Sequence, residues 1–237
     1  MPKALKGQDP KISKSSSTKT ISKVKKGSKA LKQKQIVKKV ANSSAIHYIL
    51  MLDDSGSMSG KPWQDLKNAT KEFLEKLTKT KNPGDKISCV IYNSTAKVVF
   101  EEETPSSKLD SKIKMTSGGT RYAPALCHAK NISKKTHTKF TQLVYYFMSD
   151  GMPHDEQEAL NEIENIKKES WISKVKFLAV GFGRSEFSVL KGMAKAFPNG
   201  EMMNAPTVVE LKKSMQFILR ADTGAAGKGQ KAKKKAA

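Results

Sequence analysis

Ile49-Leu50-Met51-Leu52-Asp53-Asp54-Ser55-Gly56-Ser57-Met58-Ser59-Gly60 joins an apolar run to a loop dense in oxygen atoms. An apolar run that stops at a carboxylate reads as a buried strand ending at a polar site. Asp53, Ser55 and Ser57 leave that strand end at alternate positions, on a turn that contains glycine. Carboxylate and hydroxyl oxygens gathered on such a turn suit a small hard cation such as Mg²⁺. The loop therefore supplies part of a metal site, and the rest must come from elsewhere in the chain.

Working outward, the pattern alternates strands with helices. Ile46 to Leu52 read as a strand; Trp63, Leu66, Phe73, Leu74 and Leu77 recur at helical spacing, so residues 61–79 read as a helix. After the Asn82-Pro83-Gly84-Asp85 turn, Lys86–Tyr92 and Ala96–Phe100 form a hairpin. Pro105–Ile113 reads as a short helix, Thr116–Thr120 as a flexible loop and Tyr122–Ser133 as a helix with Pro124 in its first turn. Phe140–Met148 is a second long apolar strand, and it too runs into a carboxylate, Asp150. Asp155–Glu169 follows as a helix and Val175–Phe182 as a strand. Ser185 is expected to cap a helix reaching Phe197, Glu201–Asn204 to form a short strand, and Thr207 with Glu210 to open a last helix. Such alternation predicts an α/β fold: a Rossmann-like open, mostly parallel sheet with helices on both faces and one antiparallel edge strand. Ligands of such sheets bind beyond the carboxyl ends of the strands. Asp53 and Asp150 converge there if their strands are neighbours.

Asp53/Ser55/Ser57, then Thr120 after Gly118-Gly119, then Asp150 before Gly151, follow one another at element ends of the right type. With them, residues 45–221 resemble the von Willebrand factor A domain family and its metal-ion-dependent adhesion site. The resemblance implies that Ser55 and Ser57 ligate Mg²⁺, with Mn²⁺ or Ca²⁺ as alternatives. It implies that Asp53 and Asp150 act through the serine hydroxyls and metal-bound waters, and that Thr120 ligates directly or through water. The remaining metal position would take an Asp or Glu carboxylate of a protein partner. Asp54, at the variable position, is expected to face solvent or to stand behind the ligands. Met58, Lys61, Arg121, Tyr122, Met152 and His154 would form the rim of the binding face. Arg121 either pairs with an acidic partner or caps its own helix region or is solvated, Trp63 belongs to the core, and His154 is a solvated loop residue. His47, His128 and His137 show no ligand spacing and are read as structural.

No catalytic constellation is visible: there is no nucleophile elbow, P-loop, His-Glu-x-x-His or Cys-x-x-Cys. The expectation is a non-enzymatic module. Cys89 and Cys127 are too few for a disulfide framework and read as buried free thiols in a reducing compartment. No apolar run is long enough to span a membrane. The absence of an apolar leader points to an intracellular setting, cytoplasmic or nuclear; a mitochondrial transit peptide is disfavoured because residues 1–45 hold no Arg.

The formal charge of +22 is unevenly spread. Residues 1–45 hold 13 Lys and one Asp, and residues 222–237 hold five Lys and one Asp. The segments 1–44 and 222–237 are expected to be disordered basic arms, since they cannot bury enough apolar surface to offset the entropy of ordering. Lysine-rich arms bind RNA or DNA through phosphates without reading sequence. This gives the alternative reading, a nucleic-acid-, ribosome- or chromatin-associated scaffold.

Overall fold

β1 (Ile46–Asp53) is buried from end to end, and that fact organises the sheet around it. In the computed structural model, which describes residues 45–79 and 82–220, β1 pairs in parallel with β2 (Lys86–Tyr92) on one side and β4 (Gln142–Ser149) on the other. β3 (Ala96–Glu103) closes one edge antiparallel to β2; β5 (Val175–Phe182) and β6 (Gly200–Ala205) extend the other in parallel. The order is β3-β2-β1-β4-β5-β6. The expected arms at 1–44 and 222–237, and the domain's last residue at 221, lie outside the described residues.

Alternate residues of the central strands serve opposite faces, which is why their sequences read as unbroken apolar runs. Ile49, Met51, Tyr145 and Phe147 pack with α2 (Ala123–Thr136), α3 (Glu156–Lys167) and α4 (Ser188–Ala196). Tyr48, Leu50, Leu52, Tyr146 and Met148 pack with α1 (Lys61–Lys79) and α5 (Val208–Arg220). Trp63 packs at the margin of this second core. Among the described residues, no helix is long and apolar enough to cross a membrane.

Four local expectations are corrected. The hairpin's second strand continues to Glu103, which still pairs with Ile87 of β2, and Lys135, Lys139 and Lys112 pair with Glu101, Glu102 and Glu103 along this edge. The segment after it forms only a 3-10 turn, Ser107–Lys112, capped by the Ser106 hydroxyl. Ser185 caps nothing, since α4 begins three residues later behind Phe187. Cys127 is exposed on α2, whereas Cys89 is a buried thiol.

His47 is structural, and its protonation state is set by its neighbours. Thr136 Oγ1 donates to the Ile132 carbonyl at 2.9 Å, so it accepts from His47 Nδ1 at 3.1 Å. Ser88 Oγ accepts the Glu102 N–H at 2.9 Å, which leaves its proton for Nε2 at 2.8 Å. The ring is therefore neutral with its proton on Nδ1. Burial, then the charge of Lys139, pushes its pKa down to about 3. The unfolded chain binds this proton near pH 6.5 and the folded chain does not. Stability is thus full above about pH 6.5 and falls as pH drops toward 3, by about 1.4 kcal/mol per unit. Between pH 7 and 5 the wild type is expected to lose about 2 kcal/mol more than His47→Gln. Equal losses in urea unfolding at the two pH values would refute this.

Candidate metal-binding site at the β1 and β4 strand ends

Leu52 and Met148 are cross-strand partners, so the chain leaves β1 at Asp53 and β4 at Ser149-Asp150 side by side. This is the switch point of the sheet, where connections depart in opposite directions. One Asp53 oxygen accepts the Ser55 N–H at 2.8 Å, which bends the loop back on the strand end. The other accepts the Ser149 hydroxyl at 2.6 Å. Ser57 donates to Asp150 Oδ1 at 2.9 Å, and Ser55 Oγ lies 3.1 Å from Ser57 Oγ. Since the Ser57 proton is committed to Asp150, Ser55 is the donor between the two serines. Four of the five expected residues thus form one hydrogen-bonded chain.

Thr120 joins through its loop. The Gly56 N–H donates to the Gly118 carbonyl at 2.9 Å, and the Thr120 carbonyl accepts the His154 N–H at 2.9 Å. Thr120 is itself buried. The three loops after β1, before α2 and after β4 are interlocked by backbone bonds.

Burial raises the Asp53 carboxyl to about 6, against the hydrogen bonds from Ser149 and Ser55, and the nearby Asp150 charge adds to the rise. Burial also raises Asp150. Two carboxylates whose charged forms burial disfavours, joined through hydroxyls, match what a cation would relieve. Among the described residues no group of three or more His, Cys, Asp or Glu side chains could hold a metal. A cation here would depend on Ser and Thr oxygens, a donor set that suits hard ions.

Asp54 does not face solvent. It is fully buried, and its carboxylate accepts Asn93 Nδ2 at 3.1 Å, the Thr116 N–H at 2.9 Å and the Thr116 hydroxyl at 2.6 Å. Asn93 Nδ2 also reaches Thr116 Oγ1 at 2.8 Å, and its backbone carbonyl accepts the Arg121 N–H at 2.9 Å. The Thr116–Thr120 segment, expected to be flexible, is therefore clamped at both ends. Gly118 has φ +148°, and a Cβ there would come within 3.1 Å of the Asn93 side chain. That conformation favours glycine, and an added Cβ would press on the Asn93 side chain.

The rim divides. Lys61, Arg121, Met152 and His154 are exposed. Met58 and Tyr122 are not: both are 0% exposed. The 3-10 turn Gly56–Met58 turns Met58 into the core shared with α1. Tyr122 packs edge-on against Tyr92 and Phe147 and donates to the Gly151 carbonyl at 2.6 Å. Arg121 stays within its own chain, 3.6 Å from Asp155 and 4.0 Å from Glu158. Asp155 was expected only as an acid at the start of α3. Its carboxylate instead accepts the Tyr122 and Ala123 N–H groups at 2.8 and 3.0 Å, satisfying the first turn of α2. Asn93, Thr116, Ser149 and Asp155 are supporting residues that the sequence reading missed. Asn93 and Thr116 read as hairpin-turn and loop residues, and no short-range spacing links either to the motif.

Comparison with known proteins gives a consistent result. A search of curated protein sequences finds no match. Solved structures match the fold. A von Willebrand factor type A protein from Catenulispora acidiphila aligns with TM-score 0.63 at 19% identity, covering 77% of this chain and 43% of that one. Proximal thread matrix protein 1 from the mussel byssus, in a form with a zinc-occupied adhesion-site motif, aligns with TM-score 0.59 at 18% identity, covering 76% and 46%. The vWF domain of the pilus tip protein Mfa5 from Porphyromonas gingivalis aligns with TM-score 0.60 at 13% identity, covering 78% and 97%. The chain thus spans less than half of the first two proteins and nearly all of the third. The family model for the von Willebrand factor type A domain matches residues 49–216. With these strand ends, this sheet order and that match, the chain belongs to the von Willebrand factor type A domain family, whose members are typically protein-interaction modules and generally not enzymes.

Proposed function

We propose that this domain is a Mg²⁺-dependent protein-binding module that captures an acidic side chain of a partner at Asp53, Ser55, Ser57, Thr120 and Asp150. The gathering of the Ser55 and Ser57 hydroxyls with the Asp53 and Asp150 carboxylates at one strand end carries this reading. Ser55 and Ser57 would hold the ion through hydroxyl oxygens, the hard donors that Mg²⁺ prefers. In this reading the serines hold the ion, Asp53 and Asp150 orient the serines and waters, and Thr120 contributes from the clamped loop. Mn²⁺ and Ca²⁺ are compatible with the same oxygens. Neutral hydroxyls beside the metal leave it electrophilic, which is the chemistry a partner carboxylate answers. The zinc-occupied motif of the mussel thread protein supports a divalent ion in this position of the fold. The free thiols Cys89 and Cys127 fit a reducing, intracellular setting.

The test is affinity capture on the immobilised full chain, in Mg²⁺ and in EDTA, with wild type and Ser57→Ala. Ser57 is exposed, so the variant keeps the fold. Partners are expected to disappear in EDTA and with the variant alike. An unchanged set of captured proteins under both treatments would remove the metal from the mechanism.

The charge distribution favours a second, compatible role for the ends of the chain, which hold 18 of the 44 basic residues against two of the 22 acidic ones. We propose that they bind polyanions. A fragment of residues 45–221 is expected to bind duplex RNA at least about tenfold more weakly than the full chain at matched salt. Equal affinity would leave the arms without that role.

A further inference from the structure

A groove of about 300 Å³ opens directly beside Asp150. Phe182 at the end of β5, Pro62 at the start of α1 and Pro206 before α5 give it apolar lining, and Arg184, Lys61 and Asp65 line it too. Gly183, at φ +91°, turns the chain there and donates its N–H to the Ala205 carbonyl at 3.0 Å, which fixes the backbone next to Arg184. The other cation bordering the groove, Lys61, is bound to Asp65 at 2.8 Å. Arg184 is exposed and has no ion pair among the described residues. Glu186, two positions on, lines a neighbouring hollow with Lys191, which meets the groove at Ser185.

We infer that this groove receives the partner chain next to its metal-bound carboxylate, and that Arg184 pairs with a second acidic side chain there. The ligand class is then a linear acidic segment with two carboxylates close in sequence, not a lone Asp or Glu. This inference rests on the metal-dependent capture proposed above. Its volume is at the small end of ligand pockets, enough for a short run of side chains. A guanidinium fork offers a carboxylate two parallel hydrogen bonds, which lysine does not. The chain's own ends are poor occupants: their lysines would meet Arg184 with like charge.

The experiment selects random displayed peptides on the immobilised full chain in Mg²⁺ and recovers those released by EDTA. Peptides held only by the lysine-rich ends stay bound in EDTA and are discarded. The recovered peptides are expected to carry paired acids. A synthetic copy should bind Arg184→Glu about two- to fivefold more weakly than wild type. Replacing its second acid by Lys should reverse that preference, while EDTA sensitivity persists in both proteins. Single-acid peptides, or indifference to Arg184→Glu with EDTA sensitivity retained, would overturn the inference and leave metal-dependent capture standing. If no peptide is released by EDTA, metal-dependent capture itself fails and the inference falls with it.

Discussion

Asp54→Asn is expected to lower the unfolding free energy by about 3 kcal/mol, a drop in Tm of about 6–12 °C for a domain of this size. The buried carboxylate accepts three hydrogen bonds, two from Thr116 and one from Asn93. An amide keeps one acceptor and turns its NH₂ toward a neighbouring donor. The loss should also reach the metal site, because the same clamp holds the loop that ends in Thr120. Removing supports of this kind typically costs ten- to a hundredfold in metal affinity. The swap Asp54→Asn with Asn93→Asp tests the contact directly. The new amide at 54 can donate to the new carboxylate at 93, which still accepts the Thr95 N–H now received by Asn93 Oδ1 at 3.1 Å. The double variant should regain most of the lost Tm and most of the Mg²⁺ affinity. Thermal unfolding followed by calorimetric Mg²⁺ titration reads both, and a double variant no better than Asp54→Asn would refute the clamp.

Mg²⁺ at about a hundred times its Kd is expected to stabilise the wild type by about 2.7 kcal/mol, a rise in Tm of about 5–10 °C. Binding to the folded state alone produces this shift. It should vanish in Ser55→Ala and Ser57→Ala, which each remove a proposed metal-ligating oxygen. Ser57→Ala is the cleaner variant, because among the described residues its hydroxyl bonds to Ser55 and Asp150 alone, and it is exposed. Its own Tm without metal should therefore lie close to wild type. Scanning calorimetry in Mg²⁺ and in EDTA decides the point: a shift that persists in both serine variants would place the ion elsewhere.

The architecture was readable because its signals are local. Asp53 and Asp150 each end an apolar run, and a parallel sheet buried on both faces writes such runs with period two folded into them. That Asp53, Ser55, Ser57 and Asp150 come together was readable for the same reason, since each sits at or just beyond a strand end. The errors share a different cause. Met58 and Tyr122 flank the motif in sequence, yet a 3-10 turn and an aromatic cluster carry them into the core. Cys127 falls in a helical stretch whose apolar neighbours are buried, but at the position that faces out.

By itself the sequence determined the strand–helix alternation, the family and which oxygens could gather at the β1 end. Only the tertiary structure decided what holds them there. The Asp54–Thr116 contact spans 62 positions and the Asp53–Ser149 contact 96. A carboxylate at position 54 looks the same in sequence whether it faces water or receives three donors. The difference arises when β2 and the loop before α2 close over it, and burial then makes an unpaired charge too costly to tolerate.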